Sequence, residues 1–172
     1  IIKNVCDEWY TEPTLEGDDY IDYCIQFCKT HHIDVFIPRR KLVEISKHIS
    51  RFHAIGVKVM VDQYELIETL NRKDRAYHLF KDSTSIHVPE FYVVTSKEEF
   101  EVAYDKLSKK YAKVCFKLVQ DEGGLSFRTI DPTVSKTSVL RSYPSTKMTY
   151  DAVMEALNTE ETFHEMIVMP YL

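Results

Sequence analysis

A lysine in the middle of an apolar, strand-like run is the feature that most constrains this chain. Lys117 lies within the run Val-Cys-Phe-Lys-Leu-Val at 114–119. Burying an ammonium group without a partner is strongly unfavourable, and lysine is almost never fully buried unless it is paired. The run therefore predicts a β-strand whose lysine either meets an anion or faces water at a sheet edge.

A second lysine lies where a helix is predicted to begin. Lys73 is part of the basic run Asn-Arg-Lys-Asp-Arg at 71–75, ahead of a helix that continues through Phe80. A helix N-terminus carries partial positive charge, so it disfavours cations and attracts anions such as phosphate. The run indicates an anion site at this helix start; the alternative is a solvated face balanced by Asp74.

Composition narrows the class of protein. The 172 residues include 44% apolar side chains, enough for one domain or two small ones. A formal net charge of -5 argues against a nucleic-acid-binding surface. No run approaches the length of a membrane span and no signal peptide opens the chain, so no membrane partner is expected. Four cysteines without disulfide-type spacing favour a reducing, cytoplasmic location.

Helices and strands alternate over the first third of the chain. The hydrophobic pattern predicts helices over 20–31 and 40–55 and strands over 33–37 and 57–61. Such alternation with short connections is typical of a parallel, Rossmann-like sheet. The first strand of a complete unit is expected to be missing, because 1–5 has the character of a later strand. The chain starts at Ile1 and stops at Leu172 directly after an apolar run, so both ends are expected to be truncated.

The remainder of the chain predicts helices and strands arranged around the Lys117 strand. A capping box at 96–99 opens a helix, and the pair Gly123-Gly124 connects the Lys117 strand to a return strand. That glycine pair alone is also typical of an ordinary hairpin turn. The residues at 132–148 are expected to form a loop. The other predicted elements are helices over 64–70 and 150–157 and strands over 88–94, 127–130 and 166–172.

The order of these parts resembles that of the ATP-grasp superfamily, specifically of proteins similar to the large subunit of carbamoyl-phosphate synthase. The likeness spans nearly the whole chain and rests on segments 33–40, 72–75, 86–91, 114–117, 123–128 and 169–172. It implies a pre-ATP-grasp domain over 1–62, partial and Rossmann-like, followed by the N-terminal half of an ATP-grasp domain over 63–172. The expected fold class is therefore α/β (α+β).

Lysines at these two places bind the phosphates of ATP in this family. The resemblance thus implies that Lys73 and Lys117 bind phosphate oxygens. It also implies that the glycine loop, with Gly123, Gly124 and Ser126, closes over the β and γ phosphates as a flap, because glycine lets backbone N–H groups approach the oxygens. The loop is not a Walker A motif.

The closing strand is expected to bind adenine. In this family a backbone carbonyl of that strand accepts from the exocyclic amine, and an N–H two residues later donates to the ring. By position these groups are the carbonyl of Pro170 and the N–H of Leu172, next to Met169. The family often has an acidic residue in the place of Met169 and glycine in the place of Ser126.

The activity that the resemblance implies is ATP-dependent ligation, in which a carboxylate is activated as an acyl phosphate and an amine or similar nucleophile attacks it. The cofactors implied are ATP and Mg2+, the partner is a small carboxylate, and oligomerisation stays open. The family's metal-binding Glu and Asn and its transition-state Arg lie beyond the closing strand, so this fragment alone is expected to be inactive. The alternatives are a non-catalytic nucleotide-binding or regulatory module and a plain α/β interaction domain.

Two other groups of residues carry weaker signals. Cys24, Cys28, His31 and His32 have helical spacings that a zinc ion accepts, but both cysteines lie on the apolar face of their helix, which favours packing. The basic run 39–41 follows a strand end, where it would bind a substrate carboxylate or form a solvated turn.

Overall fold

Two β-sheets, each with its own helices, organise the described part of the chain. A computed structural model describes residues 5–121, 124–135 and 146–172. The chain divides into two units, Ile1–Glu68 and Thr69–Leu172. The domain boundary expected after residue 62 stays a prediction.

The first unit is built around a parallel pair of short strands. Its elements are α1 (Gly17–Thr30), β1 (Val35–Phe36), α2 (Leu42–Lys47), α3 (Ile49–His53) and β2 (Lys58–Val59). β1 and β2 pair in parallel, with Val35 opposite Lys58. The helix–strand order and the parallel pairing confirm the sequence prediction, although both strands are shorter than predicted.

The helix expected over 40–55 is divided in two at His48. The N–H of His48 donates to the Ile45 carbonyl, three residues back, at 3.1 Å, which tightens the turn. The backbone of His48, with φ -107° and ψ 15°, has left the α region. Ile45 and Phe52 are both fully buried in one core. The predicted apolar face is therefore correct, and the predicted continuity of the helix is wrong.

The second unit contains a mixed five-stranded sheet. Helix α4 (Tyr64–Asn71) spans the division between the units. The elements after it are α5 (Lys73–Phe80), β3 (Tyr92–Val94), α6 (Lys97–Ser108), β4 (Val114–Leu118), β5 (Arg128–Ile130), β6 (Lys147–Met148), α7 (Tyr150–Thr159) and β7 (Met166–Pro170). The order of the described strands is β3-β7-β4-β5-β6, with the β5–β6 pair parallel and the other three pairs antiparallel. The predicted hairpin of β4 and β5 is confirmed. β6 corrects the loop expected over 132–148, because it gains backbone hydrogen bonds from β5; residues 136–145 lie outside the described residues.

The two faces of this sheet bury different sets of side chains, because successive residues of a strand point to opposite sides. On one face, Phe116 of β4 packs among the buried side chains of α6 and α7, including Phe100. On the other face, Cys115 belongs to a smaller cluster that includes Met169 of β7. Lys117 follows Cys115 by two residues, so it projects from the face of the smaller cluster.

The start of α6 confirms the capping box predicted from the sequence. The Ser96 hydroxyl accepts from the Glu99 N–H at 3.2 Å, and the Glu99 carboxylate accepts from the Thr95 N–H at 2.7 Å. The first bond satisfies an N–H group that the first helical turn leaves without a partner, and the second ties the residue before the N-cap to the helix. The cap fixes where α6 begins and so places Phe100 over the sheet.

An ion pair with a buried carboxylate holds the beginning of β4. Asp131 is 2% exposed and accepts from the Lys113 ammonium at 2.8 Å and from the Thr133 hydroxyl at 2.7 Å. The carbonyl of Lys113 in turn accepts from the N–H of Tyr171 at 3.0 Å. The ion pair therefore joins the beginning of β4 to the end of β5, and the backbone bond joins it to the end of β7.

Replacing Asp131 with asparagine is expected to lower the melting temperature at neutral pH by several degrees, because it leaves the Lys113 ammonium without its counterion. The hydrogen bond from Lys113 holds the pKa of Asp131 below its ordinary value, so the carboxylate stabilises the fold above that value and loses this effect in acid. Melting curves of parent and Asp131→Asn should therefore converge as the pH falls below the ordinary aspartate pKa of 3.8.

Asp105→Asn serves as the control, since Asp105 pairs with Lys109 on the surface, where both side chains are more than half exposed. This variant should melt with the parent at every pH. A deficit of Asp131→Asn that is equal at neutral and acid pH would contradict the role given to the ion pair.

Candidate functional site

The side chain of Lys117 lies on the face of the sheet that carries the smaller cluster. Its ammonium donates to the hydroxyl of Tyr77 at 2.9 Å and lies 4.8 Å from the centre of that ring. Within the described ranges, no carboxylate forms an ion pair with Lys117. The partner found for this lysine among the described residues is therefore a neutral phenol.

Lys73 begins α5 and is tied to the end of β4. Its N–H donates to the Val119 carbonyl at 3.1 Å, and its ammonium donates to the Asp121 carbonyl at 3.1 Å. Burial lowers the pKa of Lys73, the charge of Lys117 lowers it further, and Asp121 opposes both. The charge of Lys117 thus acts on Lys73, and the fold brings together the two lysines singled out from the sequence.

Arg72, next to Lys73, differs because its charge is neutralised within the protein. Its guanidinium donates to Asp74 at 3.1 Å and to Glu165 at 2.7 Å. The hydrogen bond to Asp74 raises the pKa of Arg72. Burial alone would raise the pKa of Asp74, but the hydrogen bonds from Arg72 and from backbone N–H groups, together with the charge of Arg72, lower it overall. The carboxylates of Asp74 and Glu165 therefore supply the anion that the basic run predicts beside Arg72. They do not supply one for Lys73 in the described part of the chain.

The loop after β4 is closed by side chains rather than by glycine alone. Asp121 accepts from the Ser126 N–H at 2.9 Å and from its hydroxyl at 2.6 Å, and that hydroxyl accepts from the Leu118 N–H at 3.0 Å. Gly124 has φ +70°, and the space that a β-carbon would occupy is open. Glycine is therefore favoured there by the backbone conformation and not by a lack of room. Gly123 lies outside the described residues. The Asp121 carboxylate is thus directed into its own loop.

The end of β7 carries the residues expected to bind adenine. Pro170 is buried opposite Val114, and its carbonyl lies 3.6 Å from the sulfur of Cys115. The sulfur of Met169 lies 3.6 Å from the Tyr77 hydroxyl. Leu172 is 78% exposed. Tyr77 therefore connects Lys117 to Met169, whereas no described contact connects Leu172 to the lysines.

Two residues of this site were missed by the sequence reasoning. Tyr77 lies one helical turn after Lys73, a spacing that places both on one face of α5 and that could have indicated it. Cys115 lies two residues before Lys117, on the same side of β4. Burial raises the pKa of the Cys115 thiol to about 11, against the influence of Lys117, so at neutral pH it is a protonated packing group.

The structure gives packing or structural roles to residues of the two weaker sequence signals, the cysteines of α1 and the basic run 39–41. Cys24 and Cys28 are buried in the core of the first unit, and no group of three or more potential metal ligands occurs in the described part of the chain. The ammonium of Lys41 donates to the Leu15 carbonyl and pairs with Glu16 at 2.9 Å. At least this member of the run 39–41 therefore has a structural partner.

Comparison with known proteins reveals the fold. No family model and no curated protein matches the chain. The biotin carboxylase domain of 2-oxoglutarate carboxylase from Hydrogenobacter thermophilus, solved with MgADP, ADP and bicarbonate, matches 98% of the chain with a TM-score of 0.58 and 16% identity. N5-carboxyaminoimidazole ribonucleotide synthetase, solved with ADP, matches 90% with a TM-score of 0.52 and 12% identity.

Both of these proteins are ATP-grasp enzymes, and the likeness shows that this chain has an ATP-grasp fold of the α/β class. At these identities the likeness concerns the fold and does not single out the carbamoyl-phosphate synthase type. The chain covers 35% and 33% of the two structures, so it spans about a third of the length of the proteins it resembles. In the described ranges, no helix is both long and apolar enough to cross a membrane.

Proposed function

We propose that this chain binds ATP and that Lys73 and Lys117 hold its phosphates. The observation that carries the proposal is a pair of half-buried lysines, in which burial and the charge of Lys117 lower the pKa of Lys73 against the influence of Asp121. Neither ammonium forms an ion pair with a carboxylate in the described residues. Bringing a polyphosphate to this place would remove the repulsion between the lysines. It would also offset the burial that disfavours the charged form of Lys73.

The loop and the closing strand would complete the nucleotide site. Gly123, Gly124 and Ser126 are proposed to lie over the phosphates. For Ser126 this requires phosphate to replace Asp121, which accepts from both its N–H and its hydroxyl. Adenine is proposed to lie against Met169, with the carbonyl of Pro170 and the N–H of Leu172 as its hydrogen-bonding groups. The Sγ of Cys115 lies 3.6 Å from the Pro170 carbonyl, so the base would share that carbonyl with the thiol or replace the thiol as its donor.

The activity we propose is ATP-dependent ligation of a carboxylate, through an acyl phosphate, to an amine or similar nucleophile. Residues 1–62 would form a pre-ATP-grasp domain and 63–172 the first half of the ATP-grasp domain, of the carbamoyl-phosphate synthase type. The two lysines would position the phosphates and neutralise charge that develops on them. Mg2+ would supply further charge neutralisation, through ligands outside this chain.

Titration calorimetry of the chain with ATP, ADP and AMP, each with and without Mg2+, tests the proposal. ATP should bind at least about tenfold more tightly than AMP, because charge-assisted hydrogen bonds from lysine to the outer phosphates each contribute about 1.5–3 kcal/mol. Equal affinity for the three nucleotides would remove the two lysines from the binding site. An absence of binding at millimolar ATP would contradict the proposal for this chain.

Lys73 should also give ATP binding a pH dependence. Burial and the charge of Lys117 lower the pKa of Lys73 below the ordinary lysine value of 10.5, and a bound phosphate would raise it again by favouring the ammonium. Binding should therefore take up protons in alkaline solution, and affinity should fall as the pH approaches 10.5.

Calorimetry near pH 9, where the γ-phosphate is fully ionised, measures this uptake from the binding enthalpy in two buffers of different ionisation enthalpy. Lys73→Met should reduce the uptake relative to the parent, and Lys109→Ala, at an exposed lysine, should leave it unchanged. Proton release instead of uptake would contradict the place given to Lys73.

A further inference from the structure

The hydroxyl of Tyr77 stands between the two parts of the proposed nucleotide site. It accepts from the Lys117 ammonium at 2.9 Å and donates towards the Met169 sulfur at 3.6 Å. The two contacts are compatible, because a phenol has one O–H donor and separate lone pairs that accept. With the proton directed at Met169, the lone pairs face Lys117, as the ammonium requires.

The ring of Tyr77 is itself held in place. It packs edge to face against Phe91, with ring centres 5.2 Å apart and planes at 85°. Its backbone belongs to α5, one turn after Lys73, whose N–H is bound to the Val119 carbonyl. A side chain fixed at its backbone, ring and hydroxyl can hold a flexible lysine in one orientation.

We infer that Tyr77 positions the ammonium of Lys117 for the phosphates of the nucleotide. The inference rests on the proposed function. A lysine ammonium has three N–H donors, so one remains on Tyr77 while two are available for phosphate oxygens. The ordering of the lysine is achieved before ATP arrives, and binding then loses less side-chain entropy.

Tyr77→Phe removes the hydroxyl and keeps the ring, so it separates positioning from packing. We expect the dissociation constant for ATP to rise roughly three- to tenfold, because Lys117 loses one charge-assisted hydrogen bond and its fixed orientation. The affinity for AMP, which lacks the outer phosphates, should change much less. The melting temperature should stay close to that of the parent.

Tyr92→Phe is the matched control. The hydroxyl of Tyr92 also donates one hydrogen bond to a side chain of the same unit, to Glu90 at 2.8 Å, but its ring packs against the main core rather than the lysine face. This variant should bind ATP like the parent. An equal loss in both variants would assign the effect to general loosening and overturn the inference.

A double-mutant cycle shows whether Tyr77 acts through Lys117. In a Lys117→Ala background, Tyr77→Phe should cause no further loss of ATP affinity, because the group it positions is gone. The same loss in both backgrounds would overturn the inference. Unchanged ATP binding by the single Tyr77→Phe variant would also overturn it. Tighter binding would overturn it as well, because it would mean that the phenol competes with phosphate.

The Lys117 ammonium can also be observed without nucleotide, by nitrogen-15 NMR of labelled lysine side chains. Tyr77→Phe should shift the Lys117 signal and leave that of Lys109 in place, and an unmoved Lys117 signal would overturn the inference. The two proposals fail in distinguishable ways. A parent that binds ATP through Lys117 but is insensitive to Tyr77→Phe contradicts only the positioning role, whereas a parent that does not bind ATP contradicts both.

Discussion

Replacing Lys117 with alanine is expected to weaken ATP binding by one to two orders of magnitude. The ammonium is half-buried, and its hydrogen-bond partner among the described residues is the neutral Tyr77 hydroxyl, so its charge is available to a phosphate. Charge-assisted hydrogen bonds contribute about 1.5–3 kcal/mol, which corresponds to roughly ten- to over a hundredfold in the dissociation constant. Removing the lysine also removes one half of a repulsive pair, so the fold should not be destabilised.

The matched control for this prediction is Lys109→Ala, which removes the same charge from the surface of the same unit. Lys109 is 71% exposed and pairs with Asp105 on its own helix end. Calorimetric ATP affinity should change by less than about twofold in this control. A similar loss in both variants would show that net charge, and not a specific contact, governs binding; no loss in Lys117→Ala would exclude this lysine from the site.

Replacing Phe100 with alanine is expected to have the largest effect on stability. Phe100 is fully buried and meets Phe116 edge to face, with ring centres 5.4 Å apart. It joins α6 to the face of the sheet opposite the lysines. Truncating a buried phenylalanine costs about 3–5 kcal/mol in free energy of unfolding, through lost burial and the cavity left behind. Urea unfolding followed by circular dichroism measures this loss.

Val102→Ala, two residues further along the same helix, provides the control. Val102 is 54% exposed, so its truncation should change the free energy of unfolding by about 0.5 kcal/mol or less. Unfolding of the two variants at the same urea concentration would contradict the packing of α6 on the sheet through Phe100. A folded Phe100→Ala variant should still bind ATP, because the lysines lie on the other face.

The sequence was sufficient to predict most of the order of the elements and the local settings of the two lysines, one on a strand and one at a helix start, because these depend on local patterns. Ser96 and Glu99 mark the start of α6 through their spacing alone, and alternation places Lys117 on a strand. The fold assignment required a resemblance carried by several ordered segments. The likeness to solved ATP-grasp structures supports that assignment at the level of the fold.

The parts that the sequence could not predict depend on contacts between distant residues. Arg72 and Lys73 are adjacent and look alike in sequence, yet only Arg72 meets a carboxylate from residue 165. Ser126 lies in a glycine loop, but its hydroxyl is bound by Asp121 once the hairpin folds. Tyr77 gains its role from a strand 40 positions away. None of these partners follows from local spacing.

An acyl-phosphate derivative of ATP would test the central claim directly. Such a probe transfers its acyl group from the terminal phosphate to the nitrogen of a nearby uncharged lysine amine, and peptide mass spectrometry identifies the lysine. Burial lowers the pKa of Lys73, which favours its reaction.

We predict acylation of Lys73, Lys117 or both, suppressed by excess ATP and not by AMP, while acylation of the exposed Lys109 is unaffected by either nucleotide. Labelling confined to other lysines, or labelling of Lys73 and Lys117 that excess ATP does not suppress, would contradict the claim that these two residues hold the phosphates.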